Sequence, residues 1–186
     1  IALSLHGSAD GKPVSIRQCL WDRGESHVLG TVEIQGRAHQ TQPPSSIRYP
    51  MSAQLGESVR LLGYDLDTQE VTPGGSLRLT LYWQALSEID TSYTVFNHLI
   101  DGDNHIWGQR DGLPGGGVLP TSSWIPGEYV VDEYDIPVLG NAPPGQYVIE
   151  TGMYDVATMV RLPVLDAQGA VVGDRILLAG TPIYVR

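Results

Sequence analysis

The chain reads as an all-β protein: an antiparallel β-sandwich, immunoglobulin-like or jelly-roll-like, over about residues 47–186, with a small β extension before it. Three observations predict this. Leu77, Leu79, Leu81 and Trp83 alternate with Arg78, Thr80 and Tyr82, the period-two pattern of a strand with one face in a core. The next apolar segment, Tyr93 to Ile100, follows a connection from Ala85 to Thr91 that is too short for a helical crossover, which favours antiparallel neighbours. Turn signals then recur about every 8–15 residues, and no segment carries a long apolar stripe at i, i+3, i+4, i+7.

Taken in order, the predicted strands are Ala2–His6, Val14–Gln18, Val28–Gln35, Val59–Asp65, Leu77–Gln84, Tyr93–Ile100, Ile106–Arg110, Tyr129–Val138, Gln146–Tyr154, Val160–Val164, Arg175–Ala179 and Pro182–Arg186. Glycine, proline and aspartate punctuate them at 72–75, 101–103, 115–117, 126–127, 143–145 and 168–169. The core residues expected are Leu61, Leu77, Leu79, Leu81, Trp83, Val95, Leu99, Ile149 and Met153.

Residues 40–46, polar and stiffened by two prolines, read as a linker between a head, 1–39, and a body, 47–186. The head parallels the tail of the body. Residues 8–14 match 165–171 as a turn with Asp and Gly entering a strand, and Leu29-Gly-Thr matches Ala179-Gly-Thr before a final strand. Either the head is the end of a preceding similar module, or two hairpins share ordinary turn chemistry. The chain opens with Ile1, and reads as a piece of something longer.

The net charge of −10, from 11 basic and 21 acidic residues, repels nucleic acid and anionic lipid at long range and argues against both as partners. No apolar run approaches the roughly 20 residues that cross a bilayer, so direct membrane insertion is not expected. Cys19 is the single cysteine, which rules out an intrachain disulfide.

Several constellations invite chemistry. Trp83, Trp107 and Trp124, with Gln109, Asp111 and Glu128 nearby in sequence, could form a sugar-binding platform: apolar sugar faces stack on rings while carboxylates and amides bind hydroxyls. Against this, Trp83 ends an alternating apolar run and Trp124 stands in a Trp-x-Pro-Gly corner, both packing positions. His98, between Phe96 and Ile100, has the residue type of a general base, yet no G-x-S-x-G elbow or H-E-x-x-H pair accompanies it. Asp101-Gly-Asp-Asn104 reads as a hairpin tip, with a calcium site from Asp101, Asp103 and Asp111 only if the fold gathers those loops. Asp132, Glu133 and Asp135 offer carboxylates, which rim charges on an edge strand explain more simply. Gly115-Gly-Gly117 lacks a following Lys-Ser/Thr and reads as a loop.

Leu62-Gly-Tyr-Asp65, Pro73-Gly-Gly-Ser-Leu-Arg-Leu-Thr-Leu-Tyr-Trp83, Phe96-Asn-His-Leu-Ile-Asp101, Gln109-Arg-Asp111, Trp124-Ile-Pro-Gly-Glu128, Pro144-Gly-Gln-Tyr147 and Gly152-Met-Tyr-Asp155 together carry a resemblance. The body resembles a β-sandwich module of the extracytoplasmic portions of large bacterial multi-pass membrane proteins, notably relatives of dolichyl-phosphate-mannose-type glycosyltransferases. That resemblance implies a non-catalytic appendage outside the membrane whose partner is the rest of its parent polypeptide. It brings no catalytic residue.

Three functions follow in order. The first is an accessory module that spaces or docks a larger enzyme, with no cofactor. The second is a carbohydrate-binding module, with Trp107, Trp124, Trp83, Gln109, Asp111, Glu128 and His98 as its candidate residues and a glycan as partner. The third is a hydrolase built on the carboxylates or His98.

Overall fold

The computed structural model describes strand residues 2–6, 14–19 and 26–32 and the continuous stretch 37–186. The chain divides into two compact units, Ile1–Ala38 and His39–Arg186. In the first, β1 (Ala2–His6), β2 (Val14–Cys19) and β3 (Ser26–Val32) form an antiparallel sheet in that order. The Asp-and-Gly turn expected at 8–13 and the end of the expected third strand lie outside the described residues.

The second unit is the β-sandwich that the alternation predicts. Its strands are β4 (Tyr49–Leu55), β5 (Val59–Leu66), β6 (Glu70–Val71), β7 (Ser76–Ala85), β8 (Thr94–Ile100), β9 (Ile106–Gln109), β10 (Tyr129–Pro137), β11 (Gly145–Asp155), β12 (Val160–Arg161), β13 (Val164–Leu165), β14 (Val171–Gly173), β15 (Ile176–Leu177) and β16 (Ile183–Val185). One sheet runs β10-β7-β5-β4-β13-β14. The other runs β6-β16-β11-β8-β9, with β12 and β15 also on β11, so β7 and β8 are not the antiparallel neighbours expected: their short connection crosses from one sheet to the other. All pairings are antiparallel except β16 with β6. Among the described residues the only helical segments are short 3-10 turns at Pro114–Gly117 and Thr121–Ser123.

All nine expected core residues are buried between the sheets. Each fully buried leucine contributes about 1.5–3 kcal/mol over an exposed one, so Leu77, Leu79 and Leu81 on β7 together contribute about 5–9 kcal/mol to closing the sandwich. Tyr64 adds a polar tie: its hydroxyl reaches the Leu178 carbonyl at 3.2 Å and Thr181 Oγ1 at 2.6 Å, joining β5 to the segment before β16.

Three strands were not apparent in the sequence. In β4, Tyr49, Met51, Ala53 and Leu55 do alternate, but Pro50 cannot donate to a ladder and argues against a strand. The fold accommodates it at a bulge, opposite Gly63. A Cβ on Gly63 would stand 2.5 Å from the Tyr49 carbonyl oxygen and 2.9 Å from Pro50 Cα, at a φ of +149°, so this approach of two backbones requires glycine. β6 has two residues and β14 is an exposed edge of three, both too short to show a period.

His39 and Gln40 are fixed to the second unit. Gln40 O accepts the Tyr129 N–H at 2.8 Å, and His39 Nδ1 lies 2.8 Å from Glu128 Oε2.

Candidate functional site

β8 and β11 lie side by side with His98 opposite Glu150 and Phe96 opposite Gly152. Alternation sends Val95, Leu99, Ile149 and Met153 into the core and turns Phe96, His98, Glu150 and Tyr154 to the other face of the sheet. Phe96 fits there because Gly152 has no side chain: a Cβ on it would meet the ring at 2.5 Å. The Arg161 guanidinium covers that ring, 4.2 Å from its centroid.

His98 stands between two carboxylates. Its Nδ1 is 2.8 Å from Glu150 Oε1, and its Nε2 is 3.4 Å from Asp111 Oδ1. Glu150 Oε2 accepts a hydrogen bond from Arg175 Nη1 at 2.6 Å, and Arg161 Nη2 lies 3.9 Å from Oε1. Arg175 also donates to Asn104 Oδ1 at 2.9 Å. Tyr154 Oη reaches Asp111 Oδ2 at 3.4 Å, and Arg161 Nη1 is 3.8 Å from Asp174 Oδ1.

The electrostatics follow from this packing. Burial works against a charged imidazole, but hydrogen bonds to Asp111 and Glu150, reinforced by their charge, outweigh it and hold the His98 pKa up to about 9. Burial likewise opposes ionisation of Glu150, yet His98 and Arg175 bring its pKa below the usual carboxylate value. At neutral pH His98 is therefore an imidazolium donating from both nitrogens. It has no lone pair for a proton or a metal ion.

Beside this cluster opens a shallow pocket of about 170 Å³, lined by Phe96, His98, Asp111, Tyr154, Met159 and Arg161. Met159 lies on its rim with a φ of +59°, a left-handed conformation uncommon for a residue that is neither Gly nor Asn. A larger open groove of about 680 Å³ runs along the edge strand β10, past Arg110, Glu133 and Asp135. It holds no convergent set of groups, and Asp135 there is paired with Arg78 at 3.0 Å. The smaller pocket is the one that meets buried, coupled charges.

Of the residues singled out in the sequence, His98 and Asp111 come together, and Gln109 stands opposite His98 on β9, exposed. The tryptophans do not form a platform. Trp83 is fully buried on the inner face of β7, where the alternation places it. Trp124 is buried in its corner, with Nε1 donating to Leu119 O at 2.9 Å. Trp107 is half-buried and donates to Asp101 Oδ2 at 2.7 Å. Glu128 is buried too, accepting from Ile125 N at 3.0 Å and meeting His39.

The Asp101 loop is the expected hairpin tip. Asp101 Oδ1 accepts the N–H groups of Asp103 and His105, and Oδ2 faces Trp107. Asp101, Asp103 and His105 have ligand atoms within 4.8 Å of one another, but Asp111 lies with His98 instead. Asp132 departs from its rim-charge reading. It points inward opposite Leu81, fully buried, with Oδ1 accepting from Gly115 N at 2.8 Å and Oδ2 from Tyr134 Oη at 2.7 Å. Glu133 and Asp135 are exposed on the other face, as alternation requires.

Sequence reasoning did not reach Glu150, Arg161, Arg175, Tyr154 or Met159 as site residues. Glu150 carried one signal: it is the only charge in the otherwise uncharged run Gln146–Tyr154.

The class of protein is thus an all-β sandwich module with a buried ion cluster on the outer face of one sheet. No family model matches the chain, and no curated protein is similar to it. Among solved structures it is similar to the C-terminal domain of wzt, at 12% identity and a TM-score of 0.48, over 76% of this chain and 83% of that one. It is also similar to the CARDB domain of a Pyrococcus furiosus protein in complex with di-metal ions, at 12% identity and a TM-score of 0.37, over 76% and 95%. Neither likeness bears on what this chain binds. No helix among the described residues is long and apolar enough to cross a membrane.

Proposed function

We propose that this chain is a non-catalytic accessory module of a larger protein, spacing or docking it through the outer face of the β8–β11 sheet. One observation carries the reading: the buried ionisable groups are committed to internal partners. His98 is clamped between Glu150 and Asp111, Glu150 is held by Arg175, Asp132 by Gly115 and Tyr134, and Glu128 by Ile125 N–H and His39. A general base needs an accessible lone pair at working pH, and a protonated His98 lacks one. The hydrolase alternative therefore has its two groups side by side but in the wrong protonation state.

The sequence resemblance supports an extracytoplasmic setting and a parent related to membrane glycosyltransferases. The acidic charge supports partners other than nucleic acid or anionic lipid. The test is a panel of chromogenic ester and glycoside substrates with the full chain and with His98→Gln. No turnover by either protein is expected. Turnover by the native chain that is lost in His98→Gln would overturn the reading.

A further inference from the structure

The polar groups around the 170 Å³ pocket fall into two sets. Of the lining groups, His98 is saturated from behind: its Nδ1 meets Glu150, whose other oxygen is held by Arg175, with bonds of 2.6–2.9 Å through to Asn104. The walls are not. Asp111 meets His98 and Tyr154 only at 3.4 Å on each oxygen. The Arg161 guanidinium makes no hydrogen bond among the described residues; its ion pairs are 3.8 and 3.9 Å long, and it stacks on Phe96. The Tyr154 hydroxyl has the one long contact to Asp111. A carboxylate, a phenol and a guanidinium, each with capacity to spare, thus surround one small cavity on a rigid base.

From this we infer that the pocket binds a single neutral sugar ring, which rests on the reading that the module is non-catalytic. Three cations, His98, Arg161 and Arg175, stand against three anions, Asp111, Glu150 and Asp174. A ligand with net charge would leave one of them uncompensated in a half-desolvated place. A polyhydroxylated ring uses both signs without adding any: its hydroxyls donate to Asp111 and accept from Arg161 and Tyr154. The apolar wall it needs is Tyr154 with Met159, whose left-handed backbone is fixed by its N–H to the Asp155 carbonyl at 2.7 Å. This site lies on a different face from the buried Trp83, and uses none of the three tryptophans.

The test is an amide chemical-shift titration of the full chain with methyl glycosides of glucose, galactose, mannose and N-acetylglucosamine, up to about 10 mM, the range of single-ring affinities. Glycine and sialic acid serve as zwitterionic and anionic probes. A saturable shift confined to residues 96–98, 111, 154 and 159–161 with at least one glycoside is expected. Asp111→Asn should weaken it about tenfold or more, the loss expected for a hydrogen bond to a charged group. Met159→Gly, at an exposed rim position that strains no core contact, should weaken it severalfold with the fold intact. No saturable shift with any glycoside, binding unchanged by both variants, or glycine or sialic acid binding in place of the glycosides would overturn the inference. Hydrolysis of a bound glycoside would instead overturn the non-catalytic reading and leave the sugar site standing.

Discussion

His98 Nδ1 lies 2.8 Å from Glu150 Oε1 across two directly opposed residues of neighbouring antiparallel strands. The pair is cross-strand, buried and ionic, so it ties sheet stability to proton concentration.

With its pKa held at about 9 against an ordinary 6.5, the imidazole binds its proton more tightly folded than unfolded. Its contribution is full below about pH 6.5, where both states are protonated, and is lost as pH rises through about 9. Urea denaturation at about pH 6 and pH 10 should show the native chain losing roughly 2–3 kcal/mol more than His98→Gln. Parallel pH profiles for the two proteins would contradict this.

Asp132 behaves in the opposite manner to Glu150. Burial raises its pKa, opposed by the hydrogen bonds from Gly115 and Tyr134, and the Trp83 indole lies near enough to lower it, though outside strict hydrogen-bond geometry. The folded state therefore favours the protonated acid, and its stability contribution falls as pH rises from the unfolded carboxylate value through the folded one. Asp132→Asn removes that charge and keeps an acceptor for Gly115, so it should change neutral-pH stability by under about 1 kcal/mol. Asp132→Ala strands the Gly115 N–H and leaves the Tyr134 hydroxyl only the Gly112 carbonyl at 3.4 Å, so it should cost about 1–3 kcal/mol. Thermal unfolding of the two variants separates these outcomes.

Gly63 has no room to become alanine. The added methyl would press on backbone atoms of Tyr49 and Pro50, which cannot swing aside, so Gly63→Ala should destabilise by about 3 kcal/mol. Gly102→Ala, at an open position, is the control and should stay within about 0.5 kcal/mol. Chemical denaturation midpoints decide the matter.

Trp83 and Trp124 are sealed from solvent and Trp107 is half-exposed. In a Trp21→Phe background, acrylamide should quench a minor component of the emission, and Trp107→Phe should remove that component. Strong quenching that survives Trp107→Phe would mean the corner around Trp124 opens.

The alternation of Leu77 to Trp83 was legible because its period belongs to one strand and its burial follows from that period alone. The limits of β8 and β11 were legible from other signals, the β-branched and aromatic residues within them and the Asp-Gly and Pro-Gly turns beside them; β8 itself is buried on both faces and shows no alternation. The ion cluster was not legible. Residues 98, 111, 150, 161 and 175 sit on β8, β11, β12 and the segments flanking β9 and β15, and only register brings them together. Trp83 and Trp124 illustrate the converse: aromatic residue type suggests a sugar platform, whereas their local positions, an alternating face and a proline corner, foretell burial. Pro50 hid β4 because its missing N–H is a local prohibition, lifted only by a bulge across from a glycine that lies thirteen residues on.

β11 is the hub of its sheet. One of its edges is covered by β8 alone, whereas the other is shared end to end by β16, β15 and β12. That second edge is completed only when residues 176–185, which follow every other strand of the sandwich in the chain, have left the ribosome. Until then a nascent chain holds most of its core with one long ladder open to any extended peptide nearby. Residues 176–185 therefore act as a closure that both finishes the sheet and ends the period in which a neighbouring chain could take their place.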